Sequence, residues 1–321
     1  MDSTAALPDL SAIRAAHARI APHVHRTPVL TSRALDAAIG AKLHFKCENF
    51  QRIGAFKARG AVNAVFSLSE EEAVRGVVTH SSGNHGAAVA YAAARRGIRA
   101  TVVMPHDAAS VKKDNVRGLG AEVRFCEPTA AARETLCAEV QRQTGAMLVH
   151  PFDNRDVIAG QGTAAVELIE DVPELDIVIA PIGGGGLLSG TAIASRGLIA
   201  DIRVFGAEPA NADDAARGFR SGNVEPVSPL ATIADGLRSP VCQRTLGAIR
   251  THVAAIGTAS EEAIAGAMRL VWEKMKIVIE PSAAVPLACL LERTLDVAGA
   301  RVGVILSGGN VDLDRLPWQS A

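Results

Sequence analysis

Aromatic residues are scarce in this 321-residue chain, and neither sign of charge predominates. Aromatics make up 3% of the residues, which leaves little material for the stacking platforms that bind single-stranded nucleic acids. Lysine and arginine total 33 against 34 for aspartate and glutamate, so the basic surface of a nucleic-acid-binding protein is not expected. No apolar run reaches the roughly 18 residues of a membrane-spanning helix, and the N-terminus lacks the apolar core of a signal peptide. The composition therefore predicts neither a nucleic-acid nor a membrane partner.

Cysteine is also infrequent, and its spacing excludes the common zinc motifs. The five cysteines are odd in number and form no CxxC pair. We interpret them as reduced thiols of a cytoplasmic protein. Apolar residues reach 48%, which is enough for packed cores, and the length is typical of about two domains.

A recurring pattern fills the rest of the chain: a short apolar run, a turn containing glycine, then an alanine-rich amphipathic stretch. Such runs lie at residues 77–79, 100–104, 177–180, 204–207 and 302–306. Continuously apolar strands that alternate with helices are typical of parallel sheets covered on both faces. The sequence therefore predicts an α/β fold.

Four consecutive glycines, Gly183 to Gly186, follow one of these runs and precede a predicted helix. Bare N–H groups at a helix N-terminus suit a phosphate. A tight turn that needs glycine for close packing is the alternative. A dinucleotide fingerprint is a third interpretation, because Gly184, Gly186 and Gly190 approximate its spacing and Glu208 ends the next run.

Three further segments carry polar groups that such a site could use. Lys57 follows Phe56 at a predicted helix start, and a lysine in apolar surroundings can form a Schiff base with an aldehyde. The segment Ser81-Ser82-Gly83-Asn84-His85 joins a strand to a helix and could hold a carboxylate. Ser307 begins the third segment, Ser-Gly-Gly-Asn.

An acidic motif lies downstream of the glycines. Glu208 and Asp214, with the carbonyl of Ala212, offer the hard oxygen ligands that Mg²⁺ or Ca²⁺ prefers. The competing interpretation is acidic residues that complement a helix dipole.

Together, the lysine segment, SSGNHG, the tetraglycine and SGGN resemble the fold-type II pyridoxal-phosphate enzymes, specifically the serine racemase and hydroxy-amino-acid dehydratase branch. The resemblance implies the tryptophan synthase β-like architecture, with two open, twisted, mostly parallel α/β domains and the cofactor in the cleft. Residues 1–49 and 151–321 would form the large domain, and 50–150 the inserted small one. It also implies a homodimer.

The resemblance assigns roles to individual residues. Lys57 becomes the Schiff-base lysine, and Ser82 lies opposite it as a proton donor for racemisation. The implied cofactor contacts are Phe56, Asn84, Gly183, Gly184, Gly185, Gly186, Leu187, Gly236, Glu280 and Ser307. The implied substrate contacts are Ser81, Ser82, Gly83, Asn84, His85 and Arg133, although Arg133 could equally be a helix-surface residue. The implied ligands of a divalent cation (Mg²⁺, Mn²⁺ or Ca²⁺) are Glu208, Ala212 and Asp214.

These roles imply a dehydratase, or ammonia-lyase, acting on serine, threonine or 3-hydroxyaspartate. Serine racemase is the alternative on the same scaffold, and a nucleotide-binding oxidoreductase is the remote one. The acidic motif and Gly-Ala-Phe-Lys favour 3-hydroxyaspartate. That substrate has two carboxylates, and a buried, unpaired carboxylate is costly. Candidate partners for the second carboxylate are Arg52, His150 and Arg238, none of them fixed by spacing.

Overall fold

The computed structural model describes residues 6–81, 83–108, 110–227 and 231–319. The helices are α1 Leu10–Ile20, α2 Arg33–Ile39, α3 Lys57–Ser67, α4 Glu70–Arg75, α5 Asn84–Arg96, α6 Ser110–Gly118, α7 Ala130–Thr144, α8 Arg155–Asp171, α9 Gly186–Leu198, α10 Asp214–Ser221, α11 Gln243–His252, α12 Glu261–Met275 and α13 Pro281–Leu291. The strands are β1 Val29–Leu30, β2 Lys42–Cys47, β3 Val77–His80, β4 Ala100–Pro105, β5 Glu122–Cys126, β6 Met147–Leu148, β7 Ile177–Pro181, β8 Arg203–Pro209, β9 Ala255–Ala259 and β10 Arg301–Leu306.

The described strands form two sheets. The larger has the order β1-β2-β10-β7-β8-β9, and the smaller has the order β5-β4-β3-β6. Every pairing is parallel except that of β1 with β2. The predicted α/β class with parallel sheets is thereby confirmed. The smaller sheet draws all its strands from within residues 50–150, although the exact domain limits stay a prediction.

Each face of the larger sheet carries a buried apolar layer. One layer joins β2, β7 and β10 to α2, α12 and α13, and the other joins β7 and β8 to α8, α9 and α11. All five residues of β7 are buried, as expected for a strand covered on both faces. A separate apolar cluster packs α3 and α5 against β3 and β4 in the smaller sheet.

Local sequence explains where several of these helices begin and end. Ser69 and Glu72 form a reciprocal capping box at the start of α4. The Asn154 side chain accepts hydrogen bonds from the first backbone N–H groups of α8. Because the strands are parallel, the loops after β3, β7, β8 and β10 each emerge at a carboxyl edge, where α/β proteins bind ligands.

Two predictions about the chain's surroundings can be compared with the structure. All five cysteines are free, and Cys47, Cys137 and Cys289 are buried. Within the described part of the chain, no helix has both the length and the apolar character needed to cross a membrane.

Candidate active site

Lys57 lies at the first position of α3, as predicted. The two residues before it contact the segment that follows β10. The backbone N–H of Phe56 donates to the carbonyl of Ser307 at 3.0 Å, and Ala55 forms a bridge with Gly308. The Lys57 Nζ donates to the carbonyl of Pro151 at 2.8 Å. Burial lowers the pKa of this amine to about 8. About one tenth of the amine is therefore unprotonated, and nucleophilic, at pH 7.

The turn between β3 and α5 presents backbone donors. Asn84 begins α5, the first turn of which contains no acidic side chain, and the N-cap Gly83 has no side chain to occupy its N–H groups. This combination suits a carboxylate. The N–H of Gly83 donates to Ser81 Oγ at 3.2 Å. Ser82, predicted to donate a proton, lies outside the described residues.

His85 contributes differently from its neighbours in the turn. Its ring is buried, and Nε2 donates to the carbonyl of Val149 at 2.9 Å. Burial holds its pKa well below the usual value, so the imidazole is neutral. Since Nε2 is committed to the adjacent segment, the backbone N–H is the group through which His85 can serve the predicted carboxylate site.

Asn84 is held by side chains from two distant segments. Its Nδ2 lies 3.0 and 3.1 Å from the two carboxylate oxygens of Glu280, and its Oδ1 accepts from Asn310 Nδ2 at 2.9 Å. Glu280 is also close to Gly308, where an added Cβ would come within 2.7 Å of its Oε1. The structure therefore brings Asn84, Glu280 and the segment after β10 together, and their contacts with a cofactor stay a prediction. Asn310 was not predicted as a site residue, although it ends the Ser-Gly-Gly-Asn motif.

The glycine loop connects β7 to α9, and side chains from elsewhere enclose it. A Cβ on Gly184 would come within 2.1 Å of the Phe152 ring, and one on Gly183 within 3.0 Å of the carbonyl of Gly236. Gly185 has φ +83°, where a side chain would also meet Thr245 at 2.8 Å. Close packing thus requires glycine here, and the N-terminus of α9 has no side-chain cap.

Bare N–H groups and an uncapped helix N-terminus fit a phosphate, so the loop suits the predicted cofactor. Leu187 lies in the first turn of α9, where its backbone N–H can join them, while its side chain is buried. The N–H of Gly236 donates to Ser282 Oγ at 3.1 Å, which fixes the segment behind the loop.

His150 and Phe152 join the three parts of the site. His150 was predicted only as one of three candidate partners for a second substrate carboxylate, and Phe152 was not predicted. The His150 ring lies edge-on to His80 at 5.3 Å and to Phe152 at 4.7 Å between ring centroids. Phe152 packs on the glycine loop, and the intervening Pro151 accepts from Lys57. Only their position just before a helix cap, in His-Pro-Phe-Asp-Asn, could have drawn attention to them.

Arg133 lies on α7, half-buried, and is less tied to the site than the other predicted residues. Its Nε makes a long contact of 3.4 Å with the carbonyl of Thr129, one turn earlier. Burial, and after it the charge of Arg133, lower the pKa of His80 at the end of β3. Its role as a carboxylate ligand stays a prediction.

A buried ionic network, which was not predicted, is centred on Arg59, two residues after Lys57 on α3. The guanidinium of Arg59 donates to both carboxylate oxygens of Glu48, at 2.7 and 2.8 Å, and to both of Glu167, at 2.7 Å each. Lys46 Nζ contacts Glu167 at 2.7 Å and donates to the carbonyl of Thr27. The network joins β2, α3 and α8, and so fixes the helix that carries Lys57.

The predicted cation ligands lie together at the carboxyl end of β8. The Glu208 carboxylate is buried and accepts from the N–H groups of Ala215 and Ala216, at 3.0 and 2.9 Å, in the first turn of α10. Asp214 Oδ2 accepts from Val241 N–H at 3.2 Å, and its Oδ1 is buried without a hydrogen-bond partner among the described residues. Ala212 lies between them in the short segment Ala210–Ala212.

The electrostatics of this acidic pair are compatible with a bound cation. Burial and the charge of Asp214 raise the pKa of Glu208 to about 9, and burial raises the pKa of Asp214 to about 6. The described residues contain no group of three or more His, Cys, Asp or Glu side chains that could hold a metal ion. The predicted cation site has only two carboxylates, and its third ligand is the carbonyl of Ala212. The helix-dipole interpretation explains Glu208 but not the orphaned Asp214 Oδ1.

Comparison with known proteins extends over nearly the whole chain. A family model described as pyridoxal-phosphate dependent enzyme matches residues 20–308. The chain is 51% identical to a beta-hydroxyaspartate dehydratase of Paracoccus denitrificans, over 97% of this chain and 99% of that protein. It is 44% identical to an L-threo-3-hydroxyaspartate ammonia-lyase of Saccharomyces cerevisiae, over 92% and 91%.

A solved structure agrees with these matches. The crystal structure of serine racemase from Dictyostelium discoideum superposes with a TM-score of 0.91 at 49% identity, and the alignment covers 95% of this chain and 99% of that one. Sequence motifs, fold and relatives all lead to one conclusion: the chain belongs to the family of pyridoxal-phosphate-dependent enzymes.

Proposed function

We propose that this chain is a dehydratase, or ammonia-lyase, that eliminates water from 3-hydroxyaspartate to give a keto acid and ammonia. The observation that carries the proposal is the convergence of a partly unprotonated Lys57 amine with the glycine loop and the turn before α5. The two relatives whose names specify hydroxyaspartate support this choice over serine or threonine.

Pyridoxal phosphate, when bound, supplies the aldehyde to which an amine attaches and the conjugated ring that accepts electrons from the substrate's Cα. The N–H groups of Gly183 to Gly186 would hold its phosphate, and Asn84 and Ser307 would orient its ring. Ser307 would face the ring nitrogen. A serine there, unlike a carboxylate, would leave the nitrogen unprotonated, and the ring would stabilise negative charge less.

The chain's own groups then handle the protons. In its unprotonated form, Lys57 Nζ would act as the base that removes the proton from Cα, and its lowered pKa increases the fraction available for that task. The turn before α5 holds the substrate carboxylate through backbone N–H groups. The same amine, now protonated, can return that proton to the departing hydroxyl, so one residue balances the elimination.

A panel of substrates tests this proposal. We expect kcat/KM for at least one isomer of 3-hydroxyaspartate to exceed that for L-serine and L-threonine by about tenfold, equivalent to about 1.4 kcal/mol. Ammonia release is the measurement. If L-serine or L-threonine equals or surpasses every isomer, the enzyme is a serine/threonine dehydratase instead.

Serine racemase is a second candidate, favoured by the superposition on the Dictyostelium enzyme. Racemisation needs a proton donor on the face opposite Lys57, and Ser82 is the proposed one. We expect Ser82→Ala to suppress racemisation of L-serine far more than its elimination, measured as D-serine and pyruvate from one reaction. Equal loss of both activities would exclude this role for Ser82.

We propose in addition that Glu208, Asp214 and the Ala212 carbonyl hold Mg²⁺, Mn²⁺ or Ca²⁺. The unpartnered Asp214 Oδ1 and the raised pKa values of both carboxylates support this. The resemblance to the serine racemase branch also supports a homodimer. The free cysteines support a reducing compartment, and hence the cytoplasm.

A further inference from the structure

The second carboxylate of 3-hydroxyaspartate requires a partner, and the structure separates the candidates. Arg52 is exposed. Arg238 is exposed as well, and its Nε and Nη2 both donate to the carbonyl of Thr232, at 3.2 and 2.6 Å. His150 alone among these three lies beside the Lys57 amine, the turn before α5 and the glycine loop.

The backbone of the turn after His150 fixes which ring nitrogen carries hydrogen. The N–H of Asp153 donates to Nδ1 at 2.9 Å, and the N–H of Phe152 makes a longer contact of 3.4 Å with the same atom. Nδ1 is therefore an acceptor without a proton. In the neutral ring the hydrogen must then lie on Nε2, the nitrogen farther from the backbone.

The surroundings keep the ring neutral. Burial, together with His80 and Lys57, lowers the pKa of His150 to about 4, and Asp153 opposes this only partly. Across the physiological range, Nε2 is thus a permanent N–H donor in a fixed orientation. A neutral donor can bind a carboxylate without repelling the protonated Lys57 that elimination produces.

We propose that His150 is a specificity-determining residue, whose Nε2–H donates a hydrogen bond to the distal carboxylate of the substrate. This inference rests on 3-hydroxyaspartate being the substrate class. It makes His150 a substrate-binding group with no part in proton transfer. L-Serine has a hydroxymethyl group and no distal carboxylate, so its turnover does not use this contact.

Two substitutions of His150 separate the acceptor function of Nδ1 from the donor function of Nε2. In His150→Asn the side-chain oxygen can still accept from Asp153 N–H, which preserves the turn, but no donor reaches the position of Nε2. In His150→Gln an amide N–H reaches that position, while the acceptor for the turn is lost. A comparison of the two separates substrate contact from local structure.

We expect His150→Asn to lower kcat/KM for the preferred hydroxyaspartate isomer by about tenfold to 100-fold, as for loss of one hydrogen bond to a charged group. The loss for L-serine should be several-fold smaller, because L-serine has no distal carboxylate that could use this contact, and His150→Gln should recover part of the loss for hydroxyaspartate. A loss of similar size for both substrates, or no loss for hydroxyaspartate, would overturn the proposal.

A binding measurement keeps this test independent of the proposed function. L-Aspartate retains the distal carboxylate and has no hydroxyl to eliminate, and L-alanine lacks both groups. On the holoenzyme, titrated by cofactor absorbance, His150→Asn should raise the Kd of L-aspartate about tenfold or more relative to that of L-alanine. If the wild type rejects every hydroxyaspartate isomer, the proposed substrate is wrong, and this ratio still decides the role of His150.

Discussion

The amine of Lys57 lies where burial removes water from it, and this determines its reactivity. A pKa of about 8 means that the nucleophilic fraction decreases about tenfold for each pH unit below that value. We expect the rate at which pyridoxal phosphate attaches to the apoprotein to rise with pH and level off near 8. Stopped-flow absorbance of the bound cofactor measures it. A plateau that appears only near pH 10.5 would show an unperturbed lysine.

Replacement of Lys57 should separate activity from folding. We expect Lys57→Met to lose turnover by about 10³-fold or more, because no other group shares its position. Since the change removes a half-buried amine whose desolvation is unfavourable, the melting temperature of the apoprotein should not fall. The exposed Lys274→Met provides the control and should leave both quantities unchanged. A large decrease in melting temperature for Lys57→Met would indicate a structural role.

Elements α3, α8 and β2 meet at the Arg59 network, which contains two carboxylates, a guanidinium and an ammonium. The charges of Arg59 and Lys46 hold the pKa of Glu167 at about 2, despite its burial. Such a cluster is costly to bury, yet removal of a single partner leaves its counter-charges without compensation. The cluster therefore makes the position of α3 depend on Arg59.

Substitution of Arg59 tests that dependence. We expect Arg59→Met to reduce the free energy of unfolding by about 3–5 kcal/mol, because two buried carboxylates lose their shared donor. Urea denaturation of the apoprotein measures it. The control is Arg26→Met, whose acidic partners Glu170 and Asp171 are far more exposed, and which should cost about 1 kcal/mol or less. Equal costs would contradict the argument.

The junction of β8 and α10 predicts a pH-dependent response to divalent cations. The pKa values of Glu208 and Asp214, about 9 and 6, are raised above those of unfolded carboxylates. Both groups therefore ionise more readily in the unfolded chain. Without a cation, the free energy of unfolding of the protein decreases as pH rises from about 4.5 toward those values. A cation binds the ionised forms, so its stabilisation grows with pH. We expect Mg²⁺, Mn²⁺ or Ca²⁺ to raise the melting temperature more at pH 8.5 than at pH 6.

Glu208→Gln is the matched variant for that experiment. It removes one charge of the pair and retains the size of the side chain. Without cations it should melt at or above the wild-type temperature at pH 8.5, and the cation-induced increase should shrink, with cofactor still bound. If divalent cations do not raise the melting temperature of the wild type, the cation site is wrong and Glu208 only complements the helix dipole.

Over the whole molecule, the site joins the two sheets. Lys57 and Asn84 come from the segment around the smaller sheet, and Ser307 and Glu280 from the segment around the larger one. A ligand that spans them stabilises both. We expect pyridoxal phosphate to raise the melting temperature of the whole chain in one transition, and to do so less for Lys57→Met. Two transitions that respond separately would contradict this coupling.

Features encoded in contiguous residues could be predicted. The apolar runs identified β3, β4, β7, β8 and β10, and the lysine, SSGNHG and tetraglycine motifs placed Lys57, Asn84 and the glycine loop at the helix starts where they lie. His150 was one of three candidates that spacing could not separate, and Phe152 was not predicted at all, because their contacts with His80 and Gly184 exist only after the chain folds. The Arg59 network could not be predicted for the same reason, since Glu48 and Glu167 are 11 and 108 residues away from Arg59 in sequence.

The strand order of the larger sheet also dictates a sequence of events during synthesis. β10 is the last strand that the structure describes, and it lies inside the sheet, hydrogen-bonded to β2 on one side and β7 on the other. While the ribosome is still making residues 48–300, β2 has no inner neighbour. All four strands of the smaller sheet emerge earlier and can pair at once. The nascent chain must therefore wait for its final strand before the active site can assemble, with the smaller sheet already formed.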